Sequence, residues 1–215
     1  MGAISSSVDY PAAPWELHGQ THGHLFTVPK ALLPETPDGF RPLIIAGRGI
    51  VVAGWVDYQA GSVLQYGEVF AAVAGFASHR LTGIVTHMWV DSPPSRAGGR
   101  ELWGYPKELA SFELALHPAG SARAEIDGSD LAHGTFRSWL KLPFRVKLKS
   151  GTTQPLNGRL RPVTLTISGI PALGSGSFTP GPASPLAFLA SSRRIASFAL
   201  GDFAATFGKA SDNPA

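Results

Sequence analysis

Short runs in which apolar and polar residues alternate are the feature of this sequence that most constrains its fold. In residues 110–117, ASFELALH, every second residue from Phe112 onward is apolar. Residues 121–127, SARAEID, alternate in the same way, and the connection Pro118-Ala119-Gly120 joins the two runs. A period of two is that of a half-buried strand, and a short connection containing Gly and Pro is typical of a β-hairpin. The sequence therefore predicts an antiparallel sheet.

The other candidate strands are runs rich in Val, Ile, Thr and Phe, with turn residues between them. They comprise residues 24–29, 41–47, 49–58, 66–76, 81–90, 144–150, 163–169 and 195–208. About nine strands at hairpin spacing favour a sheet that closes on itself, because closure removes exposed edges. We therefore expect a mainly β or α+β fold: an antiparallel, closed or nearly closed β-barrel-like sheet with an internal pocket for a small ligand and one or two short helices.

Few segments carry helix signals. Residues 92–102 and 184–194 each begin with a Ser-Pro pair, which is a favourable helix start, although two glycines weaken the first. Residues 174–183 are rich in Gly, Ser and Pro and predict a flexible loop. Residues 1–20 are polar and Pro-rich, which indicates an N-terminal arm on the body or on a partner. No linker long enough to separate two domains is present, so residues 1–215 are expected to form a single domain.

The charge distribution argues against nucleic-acid binding. The net charge is +3, but the 18 Lys and Arg residues are scattered along the chain. The densest group, Arg145, Lys147 and Lys149, alternates with apolar residues, which is the pattern of the solvated face of a strand. A nucleic-acid footprint needs several clustered cations, so we expect no nucleic-acid partner.

Several other classes of site are also disfavoured. The chain has no cysteine, which removes disulfides, thiolate nucleophiles and Cys-type zinc sites. His18, His22 and His24 lack a carboxylate-bearing metal frame, so we interpret them as exposed loop histidines and expect neither a metal nor a cofactor. The first residues lack an apolar signal core, and no run approaches the roughly 18 apolar residues of a membrane span. We therefore expect no membrane association and a cytoplasmic location.

Residues 99–109, GRELWGYPKEL, fix the approach to a lysine. The proline restricts its own φ and keeps Tyr105 extended, so the chain is expected to be extended into the following strand. Successive side chains of an extended chain point to opposite faces. If Lys107 faces a pocket, Glu108 therefore points away from it, although the two residues are neighbours in sequence. Trp103 and Tyr105 share the parity of Lys107, which predicts that they wall its pocket.

This stretch resembles the signature of the acetoacetate decarboxylase family, in which a Gly-Arg-Glu segment leads into Gly-aromatic-Pro-Lys-Lys. By that resemblance Lys107 corresponds to the lysine that forms a Schiff base with the substrate. The Tyr-Gly-Glu at residues 66–68 is similar to the family's upstream aromatic-x-Glu element, so Glu68 corresponds to an active-site carboxylate. The resemblance covers about residues 60–117 and implies an acetoacetate decarboxylase-like fold, a small-molecule oxo acid or ketone as substrate, and a homo-oligomer.

Further residues are candidates for binding the substrate, and they are Arg100, Trp103, Tyr105, Tyr66 and His87. Arg100 lies in the segment that resembles the family, but it could equally bind backbone carbonyls or a neighbouring subunit. His87 lies in the middle of a candidate strand, where a core role and a pocket role are both open.

The family's N-terminal arginine has no clear counterpart in this chain. Arg41 and Arg48 are weak substitutes for it. Asp57 is the nearest acid for a second upstream glutamate. Gly47 and Gly49 around Arg48 indicate a plain turn, because a strand follows and a helix does not.

The largest departure from the family pattern is Glu108, which stands where the decarboxylases have a second lysine. A lysine with the ordinary pKa of about 10.4 is protonated at neutral pH and cannot attack a carbonyl. Burial or a neighbouring cation activates such a lysine, and this family is itself the standard example. Only burial is available to Lys107, and burial can lower a lysine pKa by several units. We therefore expect an uncharged amine, with Glu68 protonated or distant from it.

Three functions remain open from the sequence. The first is a lyase that forms a Schiff base through Lys107 and breaks a carbon–carbon bond of an oxo acid or related ketone, with Glu68 moving protons. The second is a cofactor-free aldol, dehydratase or cyclase catalyst on a larger polyketide-like substrate in a biosynthetic pathway. The third is a barrel that binds a small molecule without catalysis, in which Lys107 and Glu68 form a structural ion pair.

Overall fold

The computed structural model describes residues 8–116, 120–209 and 212–213, which fold into a sheet of thirteen strands and an α-helix. The strands are β1 (Trp15–Pro29), β2 (Phe40–Pro42), β3 (Ile44–Ile45), β4 (Arg48–Tyr58), β5 (Tyr66–Ala77), β6 (Arg80–Val90), β7 (Lys107–Leu109), β8 (Ser111–Ala115), β9 (Gly120–Ile126), β10 (Ser129–Lys141), β11 (Val146–Leu156), β12 (Arg159–Pro180) and β13 (Arg193–Phe207). The helix, α1, spans Pro93–Trp103, and single 3-10 turns lie at Lys30–Leu32 and Ala187–Ser191.

Seven of the strands close into a ring. Their order is β11-β6-β5-β4-β1-β13-β12, and β12 pairs back with β11. The pairing is antiparallel except at the narrow contact between Gly83 of β6 and Thr152 of β11, which is parallel. The long β12 also pairs with β10, and β9 and β8 follow as an extension of the same sheet. The predicted barrel-like sheet is therefore confirmed.

The wall of the ring separates two apolar cores. Val51, Ala53 and Trp55 of β4 pack outside the ring, together with residues of β9 and β10. Val56 and Tyr58 of the same strand face the interior. This two-sided burial explains why β4 and β5 are apolar on both faces, whereas β8 and β9 alternate.

The hairpin between β8 and β9 forms as predicted, with Ala115 opposite Ser121. The turn itself falls on residues 117–119, which lie outside the described residues. The helix predicted at 92–102 is confirmed as α1. Ser92 accepts a hydrogen bond from the Ser95 backbone N–H at 3.2 Å, and Gly104 ends the helix at a φ of +71°.

Residues 15–20, which were expected to belong to an N-terminal arm over residues 1–20, are instead the start of β1. This strand lies between β4 and β13, so it is a central strand of the ring. Trp15 and Leu17 are each 1% exposed and face the interior. Trp15, Glu16, Leu17 and His18 alternate as a half-buried strand does, but this signal covers only four residues, between a Pro-rich stretch and Gly19, and the composition of residues 1–20 favoured an arm.

Two further predictions in the C-terminal third are wrong. Residues 174–183 do not form a loop, because β12 continues to Pro180. Gly174 and Gly176 allow β12 to pair closely with β10, because a Cβ at either position would lie 2.5 Å or less from a carbonyl oxygen of β10. The segment 184–194 forms only one 3-10 turn and then enters β13 at Arg193. Strand β10 was not predicted.

The interpretation of the three histidines as loop residues is also wrong, because all three lie on β1. His18 is exposed, but His22 and His24 are buried in the outer part of the wall. The His24 Nδ1 lies 2.9 Å from the Ser197 Oγ. Over the described ranges, no group of three or more potential metal ligands occurs. No helix in this part of the chain is long and apolar enough to cross a membrane.

Because burial, with Arg194 and His22 adding to it, lowers the pKa of His24 to about 4, we expect His24 to make folding sensitive to mild acid. Between pH 6.5 and about 4 the unfolded chain binds a proton at this residue and the folded chain does not, so stability falls as the pH falls. The loss should reach about 2 to 3 kcal/mol at pH 4.5. Urea unfolding at pH 7 and pH 4.5 measures it.

The variant His24→Asn should lose that part of the pH dependence, and His18→Asn, which changes an exposed histidine of the same strand, should keep it. Equal pH dependence in the wild type and His24→Asn would contradict this account.

Candidate active site

The end of α1 and the start of β7 place Lys107 in the wall of the barrel. After the turn at Gly104, the backbone N–H of Tyr105 donates to the Gly99 carbonyl. β7 then pairs in parallel with β6, with Lys107 opposite Met88. The absence of a side chain at Gly99 leaves space for the Lys107 side chain, because a Cβ on Gly99 would lie 2.7 Å from the Lys107 Cδ.

The ammonium group of Lys107 has three partners inside the protein. The Nζ donates to Glu68 Oε2 at 3.0 Å, to Ser95 Oγ at 2.9 Å and to the Tyr66 hydroxyl at 3.3 Å. It also lies 4.9 Å from the centre of the Tyr66 ring, within the range of a cation–π interaction. Lys107 and Glu68 are each only 4% exposed. All three N–H donors of an ammonium are therefore satisfied.

Glu68 reaches the lysine from β5. Side chains of this strand alternate, so Tyr66, Glu68 and Phe70 face the interior while Val69 faces the outer core. The Tyr58 hydroxyl of the adjacent strand donates to the second carboxylate oxygen, Oε1, at 3.4 Å. The carboxylate is thus held between a tyrosine on one oxygen and the lysine on the other.

These contacts correct the expectation of an uncharged amine in the resting protein. Burial is the largest single influence on the pKa of Lys107 and lowers it. The charge of Glu68 and the hydroxyl of Tyr66 act in the opposite direction, and together with their hydrogen bonds they raise the pKa of Lys107 above its usual value. The resting site therefore holds an ion pair, and the amine becomes free only when its proton moves.

The pair lies against a large interior cavity of about 620 Å³. All seven strands of the ring contribute to its lining, and Tyr66 of β5, a predicted substrate-binding residue, is among the lining residues. Trp103 and Tyr105, which were predicted to wall the pocket, also line it. Lys107 and Glu68 are the only charged residues of the lining among the described residues. The rest is mostly aliphatic and aromatic. Leu140, Leu148 and Leu173 line the cavity and are between 43% and 53% exposed, so we infer that the cavity opens to solvent beside them.

Two predicted substrate-binding residues do not line the cavity. Arg100 lies on the outside, where its Nε donates to the Lys107 carbonyl at 2.6 Å and its guanidinium forms an ion pair with Glu108. His87 stacks on Trp89 and Phe188 on the outer face of the wall. The geometry therefore assigns Arg100 to the backbone of the lysine segment and His87 to the packing of the wall.

The residues considered as substitutes for missing family positions are also elsewhere. Arg48 donates to Thr27 at the end of β1, and Asp57 accepts a hydrogen bond from Gln59. Neither lines the large cavity, nor does Arg41, which is exposed on β2.

Sequence reasoning missed three polar residues of the site: Ser95, Tyr58 and Thr152. Ser95 is fully buried in the first turn of α1. The sequence around it indicated that Ser92 begins the helix, but not that the Ser95 hydroxyl reaches the site. Tyr58 ends a strand that was predicted, so alternation with Val56 could have placed it inside. Thr152 lies on β11, and its Oγ1 is 2.9 Å from the Tyr105 hydroxyl, with which it forms a hydrogen bond. No local sequence pattern reveals the register that brings β11 next to Tyr105.

Comparison with known proteins gives one family. The family model described as acetoacetate decarboxylase (ADC) matches residues 29–170. The acetoacetate decarboxylase of Paraburkholderia phytofirmans is 42% identical over 91 residues, which are 41% of this chain and 32% of that protein. The match thus spans about a third of the length of that curated relative.

Solved structures show the same fold over nearly the whole chain. The acetoacetate decarboxylase of Legionella pneumophila has a TM-score of 0.72 at 19% identity, covering 97% of this chain and 91% of that one. The enduracididine biosynthesis enzyme MppR, complexed with pyruvate, has a TM-score of 0.67 at 16% identity, covering 95% of this chain and 91% of that one. Likeness at these identities concerns the fold.

We expect Glu68→Gln to lower the pKa of Lys107, because it removes the charge that raises this pKa and leaves the burial that lowers it. Competitive acetylation of the lysines, followed by mass spectrometry as a function of pH, measures the change. Glu108→Gln is the matched control, since Glu108 is the neighbour of Lys107 in sequence but lies on the outside with Arg100. An unchanged Lys107 titration in Glu68→Gln would show that the ion pair does not set the charge of the amine.

Proposed function

The chain belongs to the acetoacetate decarboxylase family, and on that premise we propose that it forms a Schiff base between Lys107 and a ketone substrate and changes a carbon–carbon bond beside the carbonyl. Glu68 moves the protons of the reaction. The observation that carries the proposal is the position of the Lys107 Nζ: it lies at the wall of a cavity and 3.0 Å from the only carboxylate of the described lining.

The first step is a proton transfer within the ion pair. Moving the proton from the Lys107 Nζ to Glu68 Oε2 produces a neutral amine and a neutral acid and leaves the net charge of the site unchanged. A low-dielectric cavity disfavours charged groups relative to neutral ones, so a ligand that displaces water from the cavity assists this transfer. Ser95 and Tyr66 continue to orient the nitrogen through their hydroxyl groups.

The amine then attacks the carbonyl carbon and forms a carbinolamine. Glu68 returns its proton to the departing hydroxyl group, which leaves as water, and a protonated imine remains on Lys107. The charges are then those of the resting pair, with a cationic nitrogen beside an anionic carboxylate. The iminium accepts the electron pair of a bond next to the carbonyl carbon, which is how a bond to carboxylate, carbon or hydrogen becomes breakable.

The non-catalytic alternative keeps the same ion pair as a structural element. Its support is that the three hydrogen bonds of Lys107 already satisfy the ammonium. The proposal requires one of them to open when a ketone arrives, and the alternative requires none to open.

A trapping experiment tests the proposal. The full chain is incubated with 2-butanone, a small ketone without charge, and reduced with borohydride, which converts an imine into a stable amine. We expect the added mass on the peptide that contains Lys107. The variant Lys107→Met/Glu68→Gln should gain none, and it avoids leaving one charge of the pair buried alone. Lys30→Ala, which removes an exposed lysine, should be trapped like the wild type.

Glu68→Gln with Lys107 intact should still trap about 100-fold more slowly: the amine is more easily deprotonated, but no positioned acid remains to protonate the departing hydroxyl group of the carbinolamine. Modification of the exposed lysines with none at Lys107 would refute the Schiff base and favour the binding barrel.

We further expect Gly99→Ala to slow trapping at Lys107, because the new methyl group would lie 2.7 Å from the Cδ and displace the side chain. Gly83→Ala is the matched control, since the nearest atom to a Cβ there is 3.9 Å away. The rate of borohydride trapping, compared with the melting temperature of each variant, separates displacement of Lys107 from loss of folding. Equal trapping rates in the two variants would contradict this role of Gly99.

A further inference from the structure

We propose that the substrate of this site is an uncharged, largely apolar ketone with an extended chain or ring system, and not a free oxo acid. The inference rests on the proposed function, because it names the ligand of the same cavity. It depends on three properties of that cavity: its charge, its size and the character of its opening.

The charge of the cavity leaves no partner for a carboxylate. Lys107 is the only cation in the part of the lining that the structure describes, and it is already paired with Glu68. The net charge of the resting lining is therefore zero. A bound oxo acid would bring an unpaired negative charge into an apolar, low-dielectric space, which is costly. The arginines considered for this task, Arg41, Arg48 and Arg100, all lie outside the lining.

An uncharged ketone avoids this cost at every step. Iminium formation from such a ketone exchanges the lysine cation for an iminium cation beside the same carboxylate, so the site stays neutral.

The size of the cavity points to a ligand larger than the oxo acids of three or four carbons. Its volume of about 620 Å³ is many times what a single water molecule needs. It also lies within the range of about 300–1,000 Å³ that is typical of sites for drug-sized ligands. A small acid would leave most of this volume to water against an apolar wall. A ligand with a long apolar part removes that surface from water and gains affinity for each methylene group buried.

The opening of the cavity is mostly apolar as well, with Ser150 as the polar exposed residue among the described lining. Leu140 of β10, Leu148 of β11 and Leu173 of β12 line the cavity and are also exposed to solvent. The apolar part of a ligand whose carbonyl reaches Lys107 would cover these leucines. The wall of the site, from the ion pair to the opening, therefore suits a carbonyl group at Lys107 followed by a largely hydrocarbon or aromatic remainder.

This substrate class changes which bond the iminium weakens. Without a carboxylate to lose, the electron pair comes from a C–H bond next to the imine carbon. Glu68 takes that proton and an enamine forms on Lys107. The enamine carbon can add to a second carbonyl of the same molecule, whose oxygen takes the proton back from Glu68 while the iminium is restored. Water then hydrolyses the iminium and releases the product. The chemistry is therefore that of an aldol or cyclisation catalyst.

A binding experiment tests the inference independently of covalent chemistry. Trp15 and Trp103 line the cavity, so their fluorescence reports on its occupation. The full chain is titrated with 2-nonanone, acetoacetate and pyruvate, and parallel samples are trapped with borohydride. We expect half-saturation by 2-nonanone at a concentration at least about tenfold lower than for either acid.

The variant Leu148→Asp should weaken 2-nonanone binding about tenfold, because it puts a charge at the apolar opening. Leu81→Asp, which changes an exposed leucine outside the cavity, should bind as the wild type does.

The outcomes separate the two proposals. Tighter binding of 2-nonanone without trapping at Lys107 would support the ligand class and refute the Schiff base. Trapping of the acids at Lys107 at equal or lower concentrations than 2-nonanone would refute the ligand class and leave the Schiff base standing. Equal effects of Leu148→Asp and Leu81→Asp would refute the role of the opening, and with it the extended ligand. Absence of both binding and trapping would refute both proposals.

Discussion

The ion pair between Lys107 and Glu68 is the interaction on which the rest of the site depends. Two charges lie in a space that is otherwise apolar, and a buried pair of this kind is tolerated only when its remaining hydrogen-bonding capacity is met. Ser95 and Tyr66 meet it on the nitrogen, and Tyr58 meets it on the carboxylate. The same contacts that make the pair stable hold the amine protonated, so its chemistry must begin with a proton transfer to Glu68.

The barrel brings these groups together from distant parts of the chain. Tyr58 and Glu68 come from the antiparallel pair β4 and β5, Ser95 from the first turn of α1, and Lys107 from the strand that follows this helix. α1 and β7 act as one unit, because Arg100 on the outside binds the Lys107 carbonyl and Glu108. Lys107 and Glu108 are neighbours in sequence but have different roles. The Lys107 side chain lines the cavity, and the Glu108 side chain pairs with Arg100 on the opposite face and so helps to fix the backbone.

The cavity and the ion pair together restrict what the site can accept. A neutral pair in an apolar chamber disfavours a further charge, and the leucines at the opening extend the apolar surface to solvent. The fold is shared with acetoacetate decarboxylase of Legionella pneumophila and with MppR. Within that shared fold, this chain's own lining of the chamber is what points to an uncharged ketone.

The sequence by itself determined the alternating strands and the opposite directions of Lys107 and Glu108, because each follows from dihedral geometry over a few residues. The Ser-Pro pair was not sufficient for a helix, since a helix follows Ser92 but only a 3-10 turn follows Ser184. Only the tertiary structure decided that residues 15–20 belong to a strand between β4 and β13, that glycines allow β12 to continue past residue 174, and that Arg100 and His87 lie outside the cavity. It also decided the charge of Lys107. Those outcomes depend on residues far along the chain, such as Glu68 and Tyr66, which contact the Lys107 amine. No local sequence pattern indicates which distant side chain will lie next to a given residue.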